Sequence, residues 1–591
     1  MFVVLFHLQI NGFANGFLGV DVFFVISGFL MALLFDKGTK CDFYIRRIKR
    51  LVPAYAATVF LVLLVPAFYV LPVDYSQLVS QSLAAGSFSS NVFYWTQNSY
   101  FSKAEFNPLL NLWSLGVEAQ FYLLVPFLFP LLKNRNWLTI FAGLMSLLCC
   151  IGIASISPKT AFFHMPFRVW EFLIGAYIAW NFADYFAKTN KSEKLQYSLL
   201  CIFILCFFLP ISPNSKVLGL GQPGLIALIV SSLTGALLVS GMPASFQNGK
   251  VGIVLVTIGK YSYSIYLVHF PIIVLYNYQA FGGTRLGYDD IQSLITLIVL
   301  IAIASVLMFH LVERQNKSIF QMKMRLCFVC LAIGIMAPVL NSRSYSKEQT
   351  NIFSAWQDRS AYRCGKIFRI LNPTKHICEL TGLRSDNNKK VLLVGNSHAD
   401  AIKHSFANIA KSQNIKVFFY VPNDPLINKN IDGKHVLKDA LDLSVDAVVI
   451  HFNDRYDDEG FIKRLGVLLV GLDDNSIKSY VIEPVPTYAQ HIPKYMYSVT
   501  IGGEENLSNQ TLQDHRQSKA AFWKAVPLLT KNPNEIIRTA DDLCNPTCQY
   551  SDQDGRPYYF DSGHLTHTGA RLLEPKFHTM LSDIFTYAQE K

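Results

Sequence analysis

Charged residues are scarce in this chain. Asp, Glu, Lys and Arg make up 16% of its 591 residues, whereas a soluble protein usually carries about a quarter. This balance excludes a disordered chain, a collagen-like fibre and a purely soluble enzyme. The histidines do not follow a metal-ligand spacing such as His-Glu-x-x-His, so we expect no metal site. Residues 342–591 lack any apolar run of the roughly 20 residues that a membrane span needs.

Long apolar runs fill the first 341 residues instead. Ten of them are candidate membrane spans: 17–35, 53–72, 109–132, 137–157, 168–184, 197–212, 219–242, 251–278, 289–311 and 326–341. Residues 1–10 are too short to cross and resemble the second half of one more helix; no basic leader precedes them, so we expect no cleaved signal peptide. The sequence predicts a multi-pass α-helical bundle of about 10–11 spans with a truncated first span.

The basic residues of the loops predict the orientation of this bundle. The loops on one side of the predicted spans hold sixteen Lys and Arg residues in total, and the loops on the other side hold four. In membrane proteins the cytoplasmic loops carry the excess of these residues. This rule puts residues 342–591 outside the cytoplasm. The net charge of +11 is therefore partly a signal of topology, and we do not expect nucleic-acid binding.

Cysteine usage agrees with an oxidising compartment for the C-terminal part. It holds four cysteines, Cys364, Cys378, Cys544 and Cys548, and an even number outside the cytoplasm favours disulfides. Three pairings are possible, of which we expect the local one, 364 with 378 and 544 with 548. A zinc site of these four residues has the wrong spacing.

Ionisable side chains inside membrane spans are costly and tend to mark function. Six lie inside the apolar runs: His7, Asp21, Glu118, Arg168, Glu171 and His269. They either pair to hold the bundle together or line a polar cavity. The basic segment 43–55 likewise has two interpretations, an anchor beside anionic lipids or an arginine clamp for phosphates.

Five motifs in this part resemble the membrane-bound acyltransferase family 3, in that family's order. They are GFLGVDVFFVISGFL at 16–30, FYIRRIKRLVPAY at 43–55, WSLGVEAQFY at 113–122, RVWEFLIGA at 168–176 and YSYSIYLVHFP at 261–271. The resemblance implies a bundle that takes an acyl group, usually acetyl, from cytoplasmic acyl-CoA. It implies His7 as the catalytic histidine, with Arg47 and Arg50 as the paired-arginine motif near the CoA.

Two positions depart from the family's pattern. The family usually has an arginine before the first-helix histidine, and this chain begins too late to contain it. A histidine commonly precedes the WSL motif, where this chain has Asn111. We expect Asn111 to position other groups rather than to transfer protons.

The C-terminal part alternates apolar and mixed segments. Strand candidates are 390–394, 415–420, 446–451 and 477–482, with helical segments such as 398–411 and 518–530 between them. This alternation predicts an α/β domain with a mainly parallel sheet, whose site lies at the carboxyl ends of the strands. We expect 342–388 to be linker and irregular structure, between a membrane domain at 1–341 and a domain at 389–591.

Two motifs carry chemistry in this domain. GNSHAD at 395–400 follows the first strand, so Ser397 would stand at the start of a helix; the alternative is a simple helix cap. YYFDSGHLTHTGARLL at 558–573 holds Asp561 and His564 within one turn, with His567 as a competitor that more plausibly starts the last helix. A carboxylate, an imidazole and a hydroxyl in this order can activate a serine nucleophile.

This pair of motifs resembles the SGNH hydrolase superfamily, in the version fused to family 3 acyltransferases. The resemblance implies Ser397 as nucleophile, His564 as base and Asp561 as orienting acid. We expect the Ser397 backbone and Asn453 to form the oxyanion hole.

These resemblances imply an O-acyltransferase, and specifically an O-acetyltransferase, in the bacterial inner membrane with a periplasmic C-terminal domain. Acetyl-CoA would be the donor, and a lipid-linked or surface polysaccharide such as lipopolysaccharide O-antigen the acceptor. The alternatives are a membrane-anchored acetylesterase and a polysaccharide transporter with a non-catalytic binding domain.

Overall fold

The structure is a computed structural model, and its chain divides into two compact units, 1–344 and 345–591. It describes residues 1–35, 38–97, 105–182, 192–209, 223–314, 345–361, 363–365, 368, 371–372, 375–383, 389–422, 425–426, 432–503, 507, 510–530 and 535–586. The expected span 326–341 lies outside the described residues. Each unit is described by itself below.

All regular secondary structure in the described part of the first unit is helical. Its helices are α1 (Phe2–His7), α2 (Gly19–Phe35), α3 (Lys40–Leu64), α4 (Pro72–Gly86), α5 (Ser90–Thr96), α6 (Trp113–Leu132), α7 (Asn136–Ile156), α8 (Pro158–Phe163), α9 (Val169–Asn181), α10 (Glu193–Phe208), α11 (Leu225–Ser240), α12 (Ala244–Asn248), α13 (Lys250–Lys260), α14 (Ser262–Tyr276) and α15 (Ile291–Met308). Within the described residues five helical segments are long and apolar enough to cross a membrane, or six if one bent pair counts as a span. The prediction of a multi-pass α-helical bundle is confirmed.

Four expected spans match these helical segments closely, namely 17–35, 109–132, 137–157 and 289–311. The expected span 53–72 is wrong at both ends. Helix α3 begins at Lys40, because Thr39 and Asp42 form a reciprocal capping box there, and this box satisfies amides at the helix start. It ends at Leu64, before Pro66, and the basic segment therefore lies inside a helix rather than in a loop.

Two further spans differ from the expectation. The run 251–278 forms two helices, α13 and α14, bent by 72° at a break between them. The run 168–184 forms α9, a helix of 13 residues, which is shorter than the roughly 20 residues of a typical span.

Helices α2 and α9 cross at a very short distance. A Cβ atom added at Gly28 would overlap the Phe172 carbonyl, and one added at Gly175 would overlap the Val25 carbonyl. Small residues at a crossing let two backbones approach in a membrane. This approach brings Asp21, near the start of α2, against Arg168, which precedes α9.

The second unit contains a six-stranded sheet. Its strands are β1 (Ile377–Glu379), β2 (Lys390–Gly395), β3 (Lys416–Tyr420), β4 (Ala447–His451), β5 (Lys478–Ile482) and β6 (Ile536–Ile537). Their order is β1-β3-β2-β4-β5-β6, and every pair is parallel except β1 with β3. The four predicted strands and the mainly parallel α/β fold are confirmed.

Helices pack around this sheet. They are α16 (Lys347–Ser354), α17 (Ser397–Ser412), α18 (Gly433–Asp442), α19 (Glu459–Asp474), α20 (Ile492–Thr500), α21 (Leu512–Ser518), α22 (Ala520–Leu529), α23 (Ala540–Leu543), α24 (His567–Arg571) and α25 (Glu574–Thr586). The central strands β2 and β4 are buried along almost their whole length, as strands covered on both faces are.

The segment 342–388 is more ordered than expected. Its described part contains helix α16, which starts at a Ser346 capping box, and the edge strand β1. A disulfide joins Cys364 to Cys378 in that strand, and a second joins Cys544 to Cys548. Both are the local pairs that the sequence predicts.

Candidate active site

Ser397 lies at a sharp turn from strand to helix. Strand β2 ends at Gly395, where a Cβ atom would overlap the carbonyl oxygen of His451 on β4, so only glycine fits. Asn396 caps α17, and its side-chain oxygen accepts a hydrogen bond of 3.1 Å from the His398 amide. Ser397 is therefore the first residue of the helix, at the carboxyl edge of the sheet.

Three predicted residues meet at this edge. The Ser397 hydroxyl lies 2.7 Å from His564 Nε2, and His564 Nδ1 lies 2.7 Å from Asp561 Oδ2. The other carboxylate oxygen, Oδ1, accepts bonds of 2.8 Å from the amides of Gly563 and His564. The same aspartate thus shapes the turn and holds the imidazole.

These bonds define a charge arrangement suited to nucleophilic chemistry. Burial raises the pKa of Asp561, but the bonds from the His564 ring and from the backbone outweigh it, so its pKa lies below the ordinary value. The ionised carboxylate requires a proton on His564 Nδ1, which leaves Nε2 to accept the hydroxyl proton of Ser397. This is the geometry of an activated serine.

Two rings hold the imidazole of His564 from its sides. His398 stacks on it with centroids 4.1 Å apart, and Phe560 stacks at 5.5 Å. Burial is the main reason that the pKa of His398 lies well below its ordinary value, and electrostatic interactions with His564, His451 and Lys519 lower it further. A neutral His398 does not repel the imidazolium that forms on His564. The sequence analysis missed this role, because nothing in GNSHAD signals a ring contact with a residue 166 positions away.

Asn453 lies at the same edge of the sheet. Gly395 pairs with His451, so Ser397 and Asn453 each follow the paired position by two residues. Asn453 is buried, its Oδ1 has no hydrogen-bond partner within the described residues, and its carbonyl accepts a bond of 3.1 Å from Lys519. The next residue, Asp454, accepts a bond of 2.8 Å from Asn396.

A second polar cluster lies in the first unit. His7 Nδ1 is 3.0 Å from His269 Nε2, although 262 residues separate them. His269 Nδ1 lies 3.0 Å from the Ile265 carbonyl and 2.9 Å from the Tyr266 carbonyl. The amide of Asn111 donates to the same Tyr266 carbonyl at 2.7 Å. Asn111 therefore contacts the backbone that holds His269.

The remaining predicted polar residues form two separate clusters. Arg168 lies 2.8 Å from Asp21 and 3.3 Å from Glu171, with all three side chains at most 2% exposed. Their mutual contact fits the interpretation that such residues hold a bundle together.

Glu118 forms the other cluster. It accepts a bond of 2.6 Å from Ser27 and a short bond from Tyr122. Arg47 and Arg50 on α3 interact with it electrostatically. The arginine pair that the sequence assigns to acyl-CoA thus lies near a buried carboxylate. Within the described residues no group of three His, Cys, Asp or Glu side chains is arranged to hold a metal ion.

The two units therefore combine a helical membrane bundle with a serine, histidine and aspartate site on an α/β fold. Residues 1–344 match a family of acyltransferase domains and residues 363–579 match the SGNH domain that is fused to such domains. The chain belongs to this acyltransferase family. The matches and the apolar helices together indicate a multi-pass membrane protein.

Particular relatives are similar to about half of this chain. The O-acetyltransferase OatA of Staphylococcus aureus is 32% identical over 323 residues, which cover 50% of this chain and 53% of OatA. The putative peptidoglycan O-acetyltransferase YrhL of Bacillus subtilis is 28% identical over 352 residues, 54% of this chain and 53% of YrhL. The chain spans about half the length of the relatives it matches.

A solved structure, the periplasmic domain of a lipopolysaccharide acetyltransferase from Salmonella ser. Paratyphi A, also matches. It is 16% identical, with a TM-score of 0.28, and the match covers 34% of this chain and 85% of that one.

Proposed function

We propose that this chain is an O-acetyltransferase of the bacterial inner membrane. It moves an acetyl group from cytoplasmic acetyl-CoA to a hydroxyl of a surface polysaccharide, such as lipopolysaccharide O-antigen. The observation that carries the proposal is the bonded series Ser397, His564 and Asp561 in a chain whose membrane unit belongs to an acyltransferase family.

In this proposal the membrane unit handles the donor. Arg47 and Arg50 bind the phosphates of CoA, since guanidinium groups pair with phosphate oxygens through two parallel hydrogen bonds. His7 acts as the general base, because a neutral imidazole can take the proton of a hydroxyl that attacks a thioester. Water exclusion by the surrounding apolar helices limits hydrolysis.

The second unit handles the acceptor. Ser397 takes the acetyl group and passes it to the sugar, with His564 as base and then as acid. The Ser397 amide at the helix start and the side-chain amide of Asn453 stabilise the oxyanion, because N–H groups donate hydrogen bonds to a negatively charged oxygen. The excess of basic residues in alternate loops supports a periplasmic place for this unit.

A second candidate acceptor is peptidoglycan, which the name of the Bacillus subtilis relative favours. The two acceptors are chemically alike, because each offers sugar hydroxyls on a polymer outside the cytoplasm. Analysis of both polymers from the same cells separates them.

The test measures O-acetyl esters on purified lipopolysaccharide and on purified peptidoglycan. The strains compared are the wild type, a deletion of the gene, Ser397→Ala, His7→Ala and the control His310→Leu, whose imidazole is exposed. We expect the deletion, Ser397→Ala and His7→Ala to lose acetylation of one polymer, and His310→Leu to keep it. Acetylation that rises on deletion would favour an esterase, and loss of polymer would favour a transporter. Full acetylation in Ser397→Ala cells would remove the catalytic role of the second unit.

A further inference from the structure

The pair of histidines in the membrane unit forms a directed series of hydrogen bonds. Backbone carbonyls of Ile265 and Tyr266 face His269 Nδ1, and His269 Nε2 faces His7 Nδ1 at 3.0 Å. Both imidazoles are buried, with exposures of 4% for His7 and 0% for His269. One end of this series consists of the two backbone carbonyls, which can only accept hydrogen bonds.

This end fixes every proton along the series. A carbonyl oxygen only accepts, so His269 Nδ1 carries a hydrogen. In a neutral ring, Nε2 of His269 then holds a lone pair, and His7 Nδ1 must donate to it. The remaining nitrogen of His7, Nε2, is left with a lone pair and has no hydrogen-bond partner within the described part of the chain.

The opposite arrangement would need a doubly protonated His269. Such a ring would donate from Nε2 and force the proton of His7 onto its own Nε2. A buried positive charge is costly unless it is paired, and no carboxylate is hydrogen-bonded to either ring among the described residues. The neutral arrangement is therefore favoured.

We propose that His269 is a positioning residue that holds His7 in the Nδ1–H tautomer and so makes Nε2 the basic atom. This inference rests on the proposed function of His7. It resembles the way in which a carboxylate fixes the tautomer of a catalytic histidine, with a second imidazole in place of the carboxylate.

Packing around the pair holds both rings in place. The ring of Phe270 meets His7 edge to face at 4.7 Å. The His7 carbonyl accepts a bond of 3.1 Å from the Gly287 amide. The Asn111 side-chain amide also donates a hydrogen bond to the Tyr266 carbonyl, so the acceptor that orients His269 is itself anchored.

The reaction step at His7 balances without any further reactant. The oxygen of the hydroxyl that receives the acetyl group within the membrane unit bonds to the thioester carbon, while the proton of that hydroxyl moves to His7 Nε2. The carbon–sulfur bond breaks, and the CoA thiolate takes up that proton. His269 keeps its own proton throughout.

The first test measures kcat and KM for acetyl-CoA with the full chain in liposomes. We compare His269→Leu, which removes the acceptor for His7, with His269→Gln, whose amide oxygen restores one, and with the control His310→Leu. Loss of general-base catalysis predicts a drop in kcat of at least about 100-fold for the leucine variant, with little change in KM. We expect the glutamine variant to recover to within about ten-fold of the wild type, because it offers an acceptor again. Equal losses in both variants, or a fully active leucine variant, would overturn the inference.

The second test reads the tautomer directly. Nitrogen NMR of the full chain with labelled histidine distinguishes a protonated ring nitrogen from one with a lone pair, and a His7→Gln sample assigns the signals. We expect the proton of wild-type His7 on Nδ1, and a mixture of tautomers in the leucine variant. A proton on Nε2 in the wild type would contradict the proposal.

The two tests separate this inference from the proposed function. If His7→Ala keeps full transfer, the function assigned to His7 fails, and with it the positioning role. If His7→Ala is inactive but His269→Leu is not, the function stands and the positioning role fails.

Discussion

The most informative single change in the second unit is Asp561→Asn. The two carboxylate oxygens of Asp561 have different partners: Oδ1 accepts from the amides of Gly563 and His564, and Oδ2 faces His564 Nδ1. Asparagine keeps an oxygen for the backbone bonds, so the turn should survive. Its amide nitrogen then faces His564 and requires Nδ1 to accept a hydrogen bond. The proton moves to Nε2, which can no longer accept one from Ser397.

The expected loss is large for activity and small for folding. In a serine protease the same kind of change lowers kcat about 10⁴-fold, which corresponds to about 5.4 kcal/mol in the activation barrier. Folding loses the ionised carboxylate, whose pKa lies below its ordinary value. Such a group contributes stability that is present above the unfolded pKa of about 4 and is lost as the pH falls through the folded pKa. Wild type and variant should therefore converge in stability in acid.

The assay is hydrolysis of an aryl acetate ester by the full chain in detergent, with thermal unfolding measured in parallel. The exposed Asp554→Asn serves as the control, because it makes the same chemical change in the same unit at a surface position. We expect Asp561→Asn to lose activity by about 10³-fold or more while it stays folded at neutral pH. Activity within about three-fold of wild type would refute the claim that Asp561 sets the tautomer of His564.

Three further predictions concern packing, disulfides and the ring contact. Gly28→Ala should lower the thermal stability and yield of the membrane unit, because a methyl group has no room at the helix crossing, whereas Gly143→Ala, with open space around it, should not. Loss of a disulfide should lower the free energy of unfolding in urea, by about 3 kcal/mol for Cys364→Ser and about 2 kcal/mol for Cys544→Ser, since the first closes the longer loop. His398→Ala should lower ester hydrolysis by about 3- to 10-fold and His398→Phe much less, because aromatic stacking contributes about 0.5–1.5 kcal/mol; equal losses would show that stacking is not its role.

The central part of the second unit could be predicted because its signals are local. Strands β2 to β4 are apolar over most of their length and β5 over its last three residues, which separates them from the mixed helical segments. Strands β1 and β6 have three and two residues, too few to form a pattern. They exist because a neighbouring strand pairs with them.

The wrong predictions about the membrane unit have physical causes of a similar kind. Basic residues from Arg46 onward suggest a surface loop, yet the capping box at Thr39 starts a helix before them. The apolar run after Lys250 continues through the bend near Tyr261, so composition alone cannot reveal the break. The contacts of His7 with His269 depend on how distant helices pack, which no local pattern records.

In the proposed mechanism both basic histidines are oriented by a hydrogen bond at Nδ1, but the two partners stabilise the protonated ring to different degrees. His564 and His7 each hold a proton on Nδ1 and a lone pair on Nε2, but the partner of Nδ1 is a carboxylate, Asp561, in one site and a neutral imidazole, His269, in the other. The carboxylate stabilises the imidazolium that forms when Ser397 gives up its proton, and this help suits chemistry on an oxygen ester with a poor leaving group. The thiol of CoA, with an ordinary pKa of about 8.5, leaves far more readily than a sugar hydroxyl. Thioester chemistry therefore needs less stabilisation of the positive ring, and a neutral partner, which avoids a further buried charge in the apolar bundle, is enough at His7.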